Sequence, residues 1–496
     1  MTTQTQFSAP SSILIVGSGV FGLTTAYALA HRPAFAQTSI TVVDRAESDS
    51  TEDGNAFPAR DAASVDTSRI IRSDYADPAY AALAAEAQRH WRRASRPEDL
   101  GAEGRYTESG LVLVADAAPA DPSPVSGVAP PVHQEKAKKS GMEYVRASWE
   151  NVRALSAHDP QFAGRIRELP DAAAIREAVG TGGSSGSWGY VNETAGWADA
   201  AKSMAWLYER VRRTGRVSFV RGTVTRLVSN YDDGSSATVT GIELSDDRTL
   251  SADLVMLATG AWTASLLDLG GQAVATGQVL AYMDITEEEQ EKLARMPTLL
   301  NLSTGLFIIT PSNRILKIAR HGYGYLNPTA FSTAPLNSPP STAKESSQRR
   351  SVSFPATSVS DPTLSIPEEG AAALRQALRE MVPFPNLHDR PFTRTRLCWY
   401  SDTPTADFIV SYHPRVRGLF VATGDSGHGF KFLPVLGDKI VDVLEGHCPP
   451  EFREKWAWKD AKPEGRLDEQ QIFTEDGSRG GVPGLILENE LRKASD

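Results

Sequence analysis

Cysteine is nearly absent: Cys398 and Cys448 are the two in 496 residues. They cannot build a disulfide framework, so the fold must rest on a buried core, which a chain of this length can supply as two or more domains or one interleaved unit. Long apolar runs are also missing. The most apolar window, ILIVGSGVFGLTTAYALA from Ile13 to Ala30, barely reaches the length of a bilayer and carries three glycines and two threonines, so no membrane partner is expected. Basic charge is in deficit, with 51 Lys and Arg against 61 Asp and Glu, a net charge of -10 and a pI near 5.5. That balance argues against a broad phosphate-binding surface and against nucleic acid as a partner. The opening MTTQTQFSAPSS lacks the basic and apolar regions of a secretory signal, and the closing KASD is not a peroxisomal tripeptide. A reducing, cytoplasmic location is therefore expected.

What is present begins with SILIVGSGVFGLTTAYALAHRPAFAQTSITVVDRAES, which reads as strand, glycine turn, helix and strand. Gly17, Gly19 and Gly22 fit G-x-G-x-x-G: the first permits a tight turn, the second lets a pyrophosphate approach the backbone, and the third lets helix and strand pack closely. Phosphates would sit at the helix N-terminus. Asp44 follows about 20 residues on, where a carboxylate can hold the hydroxyls of an adenosine ribose and disfavours a 2′-phosphate. The alternative is a glycine-rich turn in a nucleotide-free α/β fold. The motif does not choose between NAD and FAD. A later run, TVTGIELSDDRTLSADLVMLATGAW, ends an apolar strand on Ala258-Thr259-Gly260, small residues that let backbone pass close to a bound dinucleotide.

The stretch LCWYSDTPTADFIVSYHPRVRGLFVATGDSGHGFKFLPVLGDKIVDVLEG closely resembles the monomeric sarcosine oxidase and fructosyl amino acid oxidase (amadoriase) family of FAD amine oxidases. The resemblance implies an α/β fold, a Rossmann-type FAD-binding domain interleaved with an α+β substrate domain. It also implies FAD held covalently, through an 8α-S-cysteinyl bond to Cys398. Reactive cysteines sit in electropositive surroundings, and Arg394 and Arg396 are the nearest arginines in sequence; a buried inert thiol is the alternative. The same resemblance assigns Val20, Phe21, Arg45, Ser68, Val224, Asp425, Gly427, Gly429 and Phe430 to the cofactor, together with the glycine motif and Asp44. Lys431, bracketed by Phe430 and Phe432, matches the lysine that binds the substrate carboxylate. A helix beginning near Pro434 would point its positive end at the flavin pyrimidine.

DAASVDTSRIIRSDYADPAY resembles the family's second motif, placing Arg69 over the flavin face and Arg72 on the substrate. Guanidinium suits carboxylate recognition by paired hydrogen bonds. In RILKIARHGYG, Lys317 matches the family lysine that speeds oxygen reduction beside flavin N5, by charge stabilisation in a dry site. Amadoriases carry lysine where this chain has Arg69, and a glutamate where it has His321; both departures lean toward sarcosine oxidase. An exposed helix face for the two arginines and surface positions for Lys317 and His321 are the plain alternatives.

The cofactor half is expected from 1–75, 185–265 and 395–446, the substrate half from 76–184 and 266–394, and an extension from 447–496 with no assigned chemistry. Two Pro- and Ser-rich insertions, Ala115 to Lys136 and Asn327 to Pro367, read as loops, the second as a long loop or flap, either mobile or laid over the entrance. The expected activity is oxidation of an N-methyl or N-alkyl α-amino acid by O2, giving an imine and hydrogen peroxide. Fungal biosynthetic members close an isoquinoline ring on an N-methyl aromatic amino acid, and the chain resembles that branch. Deglycation of fructosyl amino acids, saccharopine or pipecolate oxidation, and an NAD-dependent amine dehydrogenase stand as alternatives. The expected partners are an amino acid and O2, with no metal, and the expected state is a monomer.

Overall fold

The computed structural model describes residues 7–45, 57–117, 139–159, 162–231, 237–331, 350–459 and 472–493. Most of the first insertion, 118–138, and residues 332–349 of the second lie outside them.

One sheet contains the N-terminal motif. Its strands run in the order Ile409–Tyr412, Leu419–Thr423, Leu254–Leu257, Ser12–Val16, Ser39–Asp44 and Val217–Arg221, all parallel except the first. A parallel sheet is covered on both faces, and strand periodicity sends alternate side chains to each. Ile13 and Ile15 join a core with helices Val20–His31 and Leu433–Leu444, whereas Leu14 and Val16 join Leu227, Val239 and Ile242 of a small antiparallel sheet on the opposite face. Pro434 occupies the first turn of the second helix, where its missing N–H costs nothing.

A second, ten-stranded sheet is built around the long strand Val274–Asp284, which pairs antiparallel with Ile315–Arg320 on one side and Arg394–Asp402 on the other. Here the alternation positions chemistry. Leu316, Ile318, Leu397 and Trp399 face the amphipathic helix Glu368–Met381, while Cys398, Leu280, Tyr282 and Ala319 form a cluster on the opposite face. Register puts Tyr282 opposite Lys317 and Gln278 opposite Cys398. The polar residues of two distant sequence motifs thus share one sheet face, turned to the first domain's glycine loops. No helix among the described residues is long and apolar enough to cross a membrane, and no cluster there could hold a metal ion.

Candidate functional site

The glycine turn opens onto a cavity of about 280 Å³. Gly17 holds φ of +101°, and a Cβ there would lie 2.5 Å from the Ala258 carbonyl oxygen, so only glycine lets the two strand ends close up. Helix Val20–His31 starts at Gly19 with no side-chain cap, leaving its first N–H groups available. Gly17, Gly19, Val20, Phe21, Asp44, Arg45, Val224, Asp425, Gly427, Gly429 and Phe430 all line this cavity; Gly22 lies deeper in the helix and does not. The Ala258-Thr259-Gly260 turn lines it as well. Phe354, Pro355, Thr357 and Ser360 of the second insertion close one side, and Thr357 donates to Asp61 at 2.9 Å. Arg45 stacks over Trp262 with its guanidinium carbon 3.9 Å from the ring centre.

The cavity meets the requirements of FAD. Its walls combine an uncapped helix N-terminus, an acid at the end of the second strand and a buried Ser64 hydroxyl that has no partner among the described residues. Buried polar atoms are almost always satisfied, so Ser64 Oγ marks a place for a polar ligand atom.

A smaller chamber of about 70 Å³ adjoins the first, and Arg69, Tyr400, Gly427 and Phe430 line both. Gly427, at φ of +69°, passes so close to Tyr400 that a Cβ would sit 2.2 Å from its ring. Ser68, Arg72, Lys317, His321, Cys398 and Lys431 complete the polar wall of the chamber; Ile70, Leu280, Leu300, Phe307 and Ile309 supply the apolar one.

Cys398 is buried and unpaired by any disulfide, and Arg69 Nη2 donates to its sulfur at 3.3 Å. Neither arginine nearest in sequence supplies that cation. Arg394 lies over the Tyr282 ring, with its guanidinium carbon 4.1 Å from the centre, and Arg396 donates to the carbonyls of Val65, Asp61 and Ala62. Side chains two apart on a strand share a face, but long ones reach away to different partners.

Lys317 is a central, buried residue and donates to Asp66 Oδ2 at 2.7 Å and to the Ser68 carbonyl at 2.6 Å. Asp66 also accepts from Tyr282 Oη at 2.6 Å and pairs closely with Arg69. Burial alone would raise the Asp66 carboxyl, but Lys317, Arg69 and Arg396 hold it far below the usual range. Lys317 moves down to about 8, because burial and the Arg69 charge outweigh the pull of Asp66.

Arg72 is buried, and its Nη1 has no hydrogen-bond partner among the described residues. The Tyr75 ring lies near both basic side chains: its centre is 5.0 Å from the Arg72 guanidinium carbon and 5.2 Å from Lys431 Nζ. Lys431 donates to Tyr75 Oη at 2.9 Å and to the His428 carbonyl at 3.0 Å, and Trp91 fixes its backbone by donating to the Lys431 carbonyl at 2.8 Å.

Arg479 emerges from the C-terminal extension. It donates to Asp402 Oδ1 at 2.6 Å and to the Ser426 carbonyl at 2.7 Å, and presses its Nη1 against His321 Nε2. An arginine can only donate, so the imidazole nitrogen that meets it accepts; Nη1 also lies 3.2 Å from Nδ1, which is 3.4 Å from Tyr400 Oη. Burial and the charge of Arg479 hold His321 neutral, well below the ordinary histidine value. Sequence reading passed over Asp66 and Arg479, as it did Ser64, Tyr75 and His428. Asp66 stands within the quoted RII motif, three positions before Arg69, and that spacing of acid and base was the available signal; Arg479 had none, since only the fold brings residue 479 to residue 321.

The description "FAD dependent oxidoreductase" matches residues 12–443 of the chain. The amino acid oxidase imqH of Aspergillus flavus is 33% identical over 468 residues, covering 88% of this chain and 93% of that protein. The amino acid oxidase fsqB of Aspergillus fumigatus is 32% identical over 473 residues, with the same coverage of 88% and 93%. Among solved structures, a modified fructosyl peptide oxidase from Aspergillus nidulans superimposes with a TM-score of 0.75 at 23% identity, covering 98% of this chain and 99% of that one, which establishes the shared fold.

Proposed function

The chain belongs to the FAD dependent oxidoreductase family, and from that premise we propose that it is an amino acid oxidase, converting a secondary amine, an N-methyl or N-alkyl α-amino acid with an aromatic side chain, to an imine while O2 becomes hydrogen peroxide. The observation that carries this reading is the unpartnered, buried Arg72 Nη1 beside Lys431 in the smaller chamber. Asp74 lies near enough to favour the Arg72 charge, but a buried guanidinium N–H left without an acceptor is costly and is satisfied when an anion arrives, and the substrate carboxylate is that anion. The names of the two Aspergillus relatives, both amino acid oxidases, support the same class.

FAD supplies the redox chemistry, accepting the electrons of the amine and returning them to O2. In this reading Gly17, Gly19, Val20, Phe21, Asp44, Arg45, Ser64, Val224 and Asp425 would hold it in the larger cavity, and Cys398, on the wall of the adjoining chamber, would tether it. Arg69, fixed by Asp66, guards the passage between the two cavities. Arg72 and Lys431 hold the substrate carboxylate and so fix the amine carbon against the passage. Ile70, Leu300, Phe307 and Ile309 exclude water and accept an apolar side chain. Lys317 places one positive charge where oxygen acquires negative charge. The imine is then hydrolysed, or captured by a nucleophile of the substrate's own ring.

Deglycation of fructosyl amines is the second reading, favoured by the fold of the structural neighbours alone. His321 weighs against it, because Nε2 is engaged by Arg479 and no carboxylate stands in its place for a sugar amine. The test is peroxide release by the purified protein on N-methyl aromatic, cyclic, fructosyl and saccharopine-type amino acids. The proposal requires the first class to have the highest kcat/KM; preference for a fructosyl amine would replace it by the second reading.

A further inference from the structure

An α-amino acid reaches the chamber as a zwitterion, but its C–H bond can be oxidised only after the ammonium has lost a proton, since an ammonium nitrogen has no lone pair to stabilise the developing imine. Building on the amino acid oxidase reading, we propose that Lys431 takes that proton from the substrate ammonium.

The hydrogen-bond chain beneath the chamber fixes the argument. His428 Nε2 lies 2.8 Å from the Ala406 carbonyl oxygen, which can only accept, so Nε2 carries the ring hydrogen. The ring is neutral, pushed well below the usual histidine value chiefly by burial, with the charges of Arg479 and Arg72 acting in the same direction. Its Nδ1 must then accept, and the Tyr75 hydroxyl, 3.0 Å away, must donate to it. The Tyr75 oxygen is left to accept from Lys431 Nζ at 2.9 Å, and the His428 carbonyl accepts a second Nζ hydrogen at 3.0 Å. A neutral amine has two hydrogens and one lone pair. Both hydrogens are placed, so the remaining tetrahedral position, on a residue that lines the chamber, is the lone pair.

The surroundings favour that neutral form. Burial is the largest influence and Arg72 and Arg479 act in the same direction, holding Lys431 well below the ordinary lysine value; Asp425 and Asp74 oppose them without prevailing. Tyr75, raised well above the ordinary phenol value by burial, and His321 and His428, both lowered by it, contribute no charge of their own. An α-amino acid bears its ammonium and carboxylate on one carbon, so a group that meets the second can reach the first.

The step balances without a further reactant. One substrate N–H bond breaks and leaves its electron pair on nitrogen, and a new bond forms at the Nζ lone pair. Lys431, now an ammonium, pairs with the carboxylate beside Arg72, so the transfer that activates the amine also completes the clamp.

Proton counting tests this in the holoenzyme. Titration calorimetry in two buffers of different ionisation enthalpy gives the protons exchanged on binding near neutral pH. The probe is the thioether counterpart of an N-methyl amino acid that bleaches the flavin, with S-methyl in place of N-methyl. It brings a carboxylate but no ammonium proton, so wild-type protein should take up about one proton per site from solvent. The Lys431→Arg variant, which keeps the charge but cannot exchange it, should take up none, and Lys431→Met none. In the same variants the N-methyl amino acid itself should release about one proton to solvent on binding, whereas wild-type protein should release none. Release of a proton by wild-type protein, or thioether binding to it without uptake, overturns the proposal. Should no N-methyl amino acid bleach the flavin, the amino acid oxidase reading fails first and this inference with it.

Discussion

Arg69 Nη2 donates to Cys398 Sγ at 3.3 Å, joining residues 329 positions apart in sequence. The sulfur sits on the sheet face that also carries Tyr282 and lines the smaller chamber, and the proposed flavin tether is assigned to it. Cys398→Ala is therefore expected to give a protein whose yellow colour is washed away by acid precipitation, while wild-type precipitate stays yellow. Colour retained by the variant would put the tether elsewhere.

Lys317 is charged below about pH 8 and neutral above it. If its charge serves oxygen, flavin reoxidation should slow as pH rises through that value. Lys317→Met is expected to slow reoxidation about 10²–10³-fold, to remove the pH dependence, and to affect flavin reduction much less. Stopped-flow measurement of the two half-reactions separates these effects; equal slowing of both would contradict the assignment.

Asp66 answers the charges of Lys317 and Arg69 at once. Breaking such a buried pair by removing one partner costs about 3–5 kcal/mol. Asp66→Asn should thus lower the denaturation midpoint clearly. Because the folded carboxyl is held far below its ordinary value, the stabilisation is present above about pH 4 and is lost in strong acid, and its Lys317 part is lost again as that lysine discharges near pH 8. The wild-type minus variant difference should accordingly be large in mildly acidic solution and shrink as pH rises toward 8, and a difference that is absent near pH 6 would disprove the pairing.

Arg479→Met removes the cation held against the His321 ring, whose charge keeps that ring neutral. The ring is then free to accept a proton or turn, and kcat/KM for an N-methyl amino acid should fall about 10–100-fold and acquire a new acidic limb in its pH profile. A fall without that limb would indicate that Arg479 acts only in holding the C-terminal extension.

The glycine motif and the helix starting near Pro434 were legible because their signals are local: adjacent residues set turn, cap and period. Arg69, Arg72, Lys317, His321, Cys398 and Lys431 could be named from short motifs, and the structure gathers them at one chamber. Their partners were not legible. Which arginine meets Cys398 depends on strand register between Val274–Asp284 and Arg394–Asp402 and on the reach of side chains from a separate segment. Asp66 looks like any acid beside an arginine until burial removes water from it. Arg479 lies in a charged, glycine-rich tail whose composition suggests solvent, and only the docking of that tail against Gly305 and His321 carries it inside.

Anaerobic titration of the purified protein with an N-methyl aromatic amino acid, followed by flavin absorbance, tests the central claim most directly. Full bleaching is expected with wild-type protein. In Arg72→Met the half-saturating concentration should rise at least about 30-fold, the loss of a charge-assisted contact worth ~2 kcal/mol or more. Bleaching that is indifferent to Arg72, or that occurs with fructosyl amines and not with N-methyl amino acids, would contradict the account.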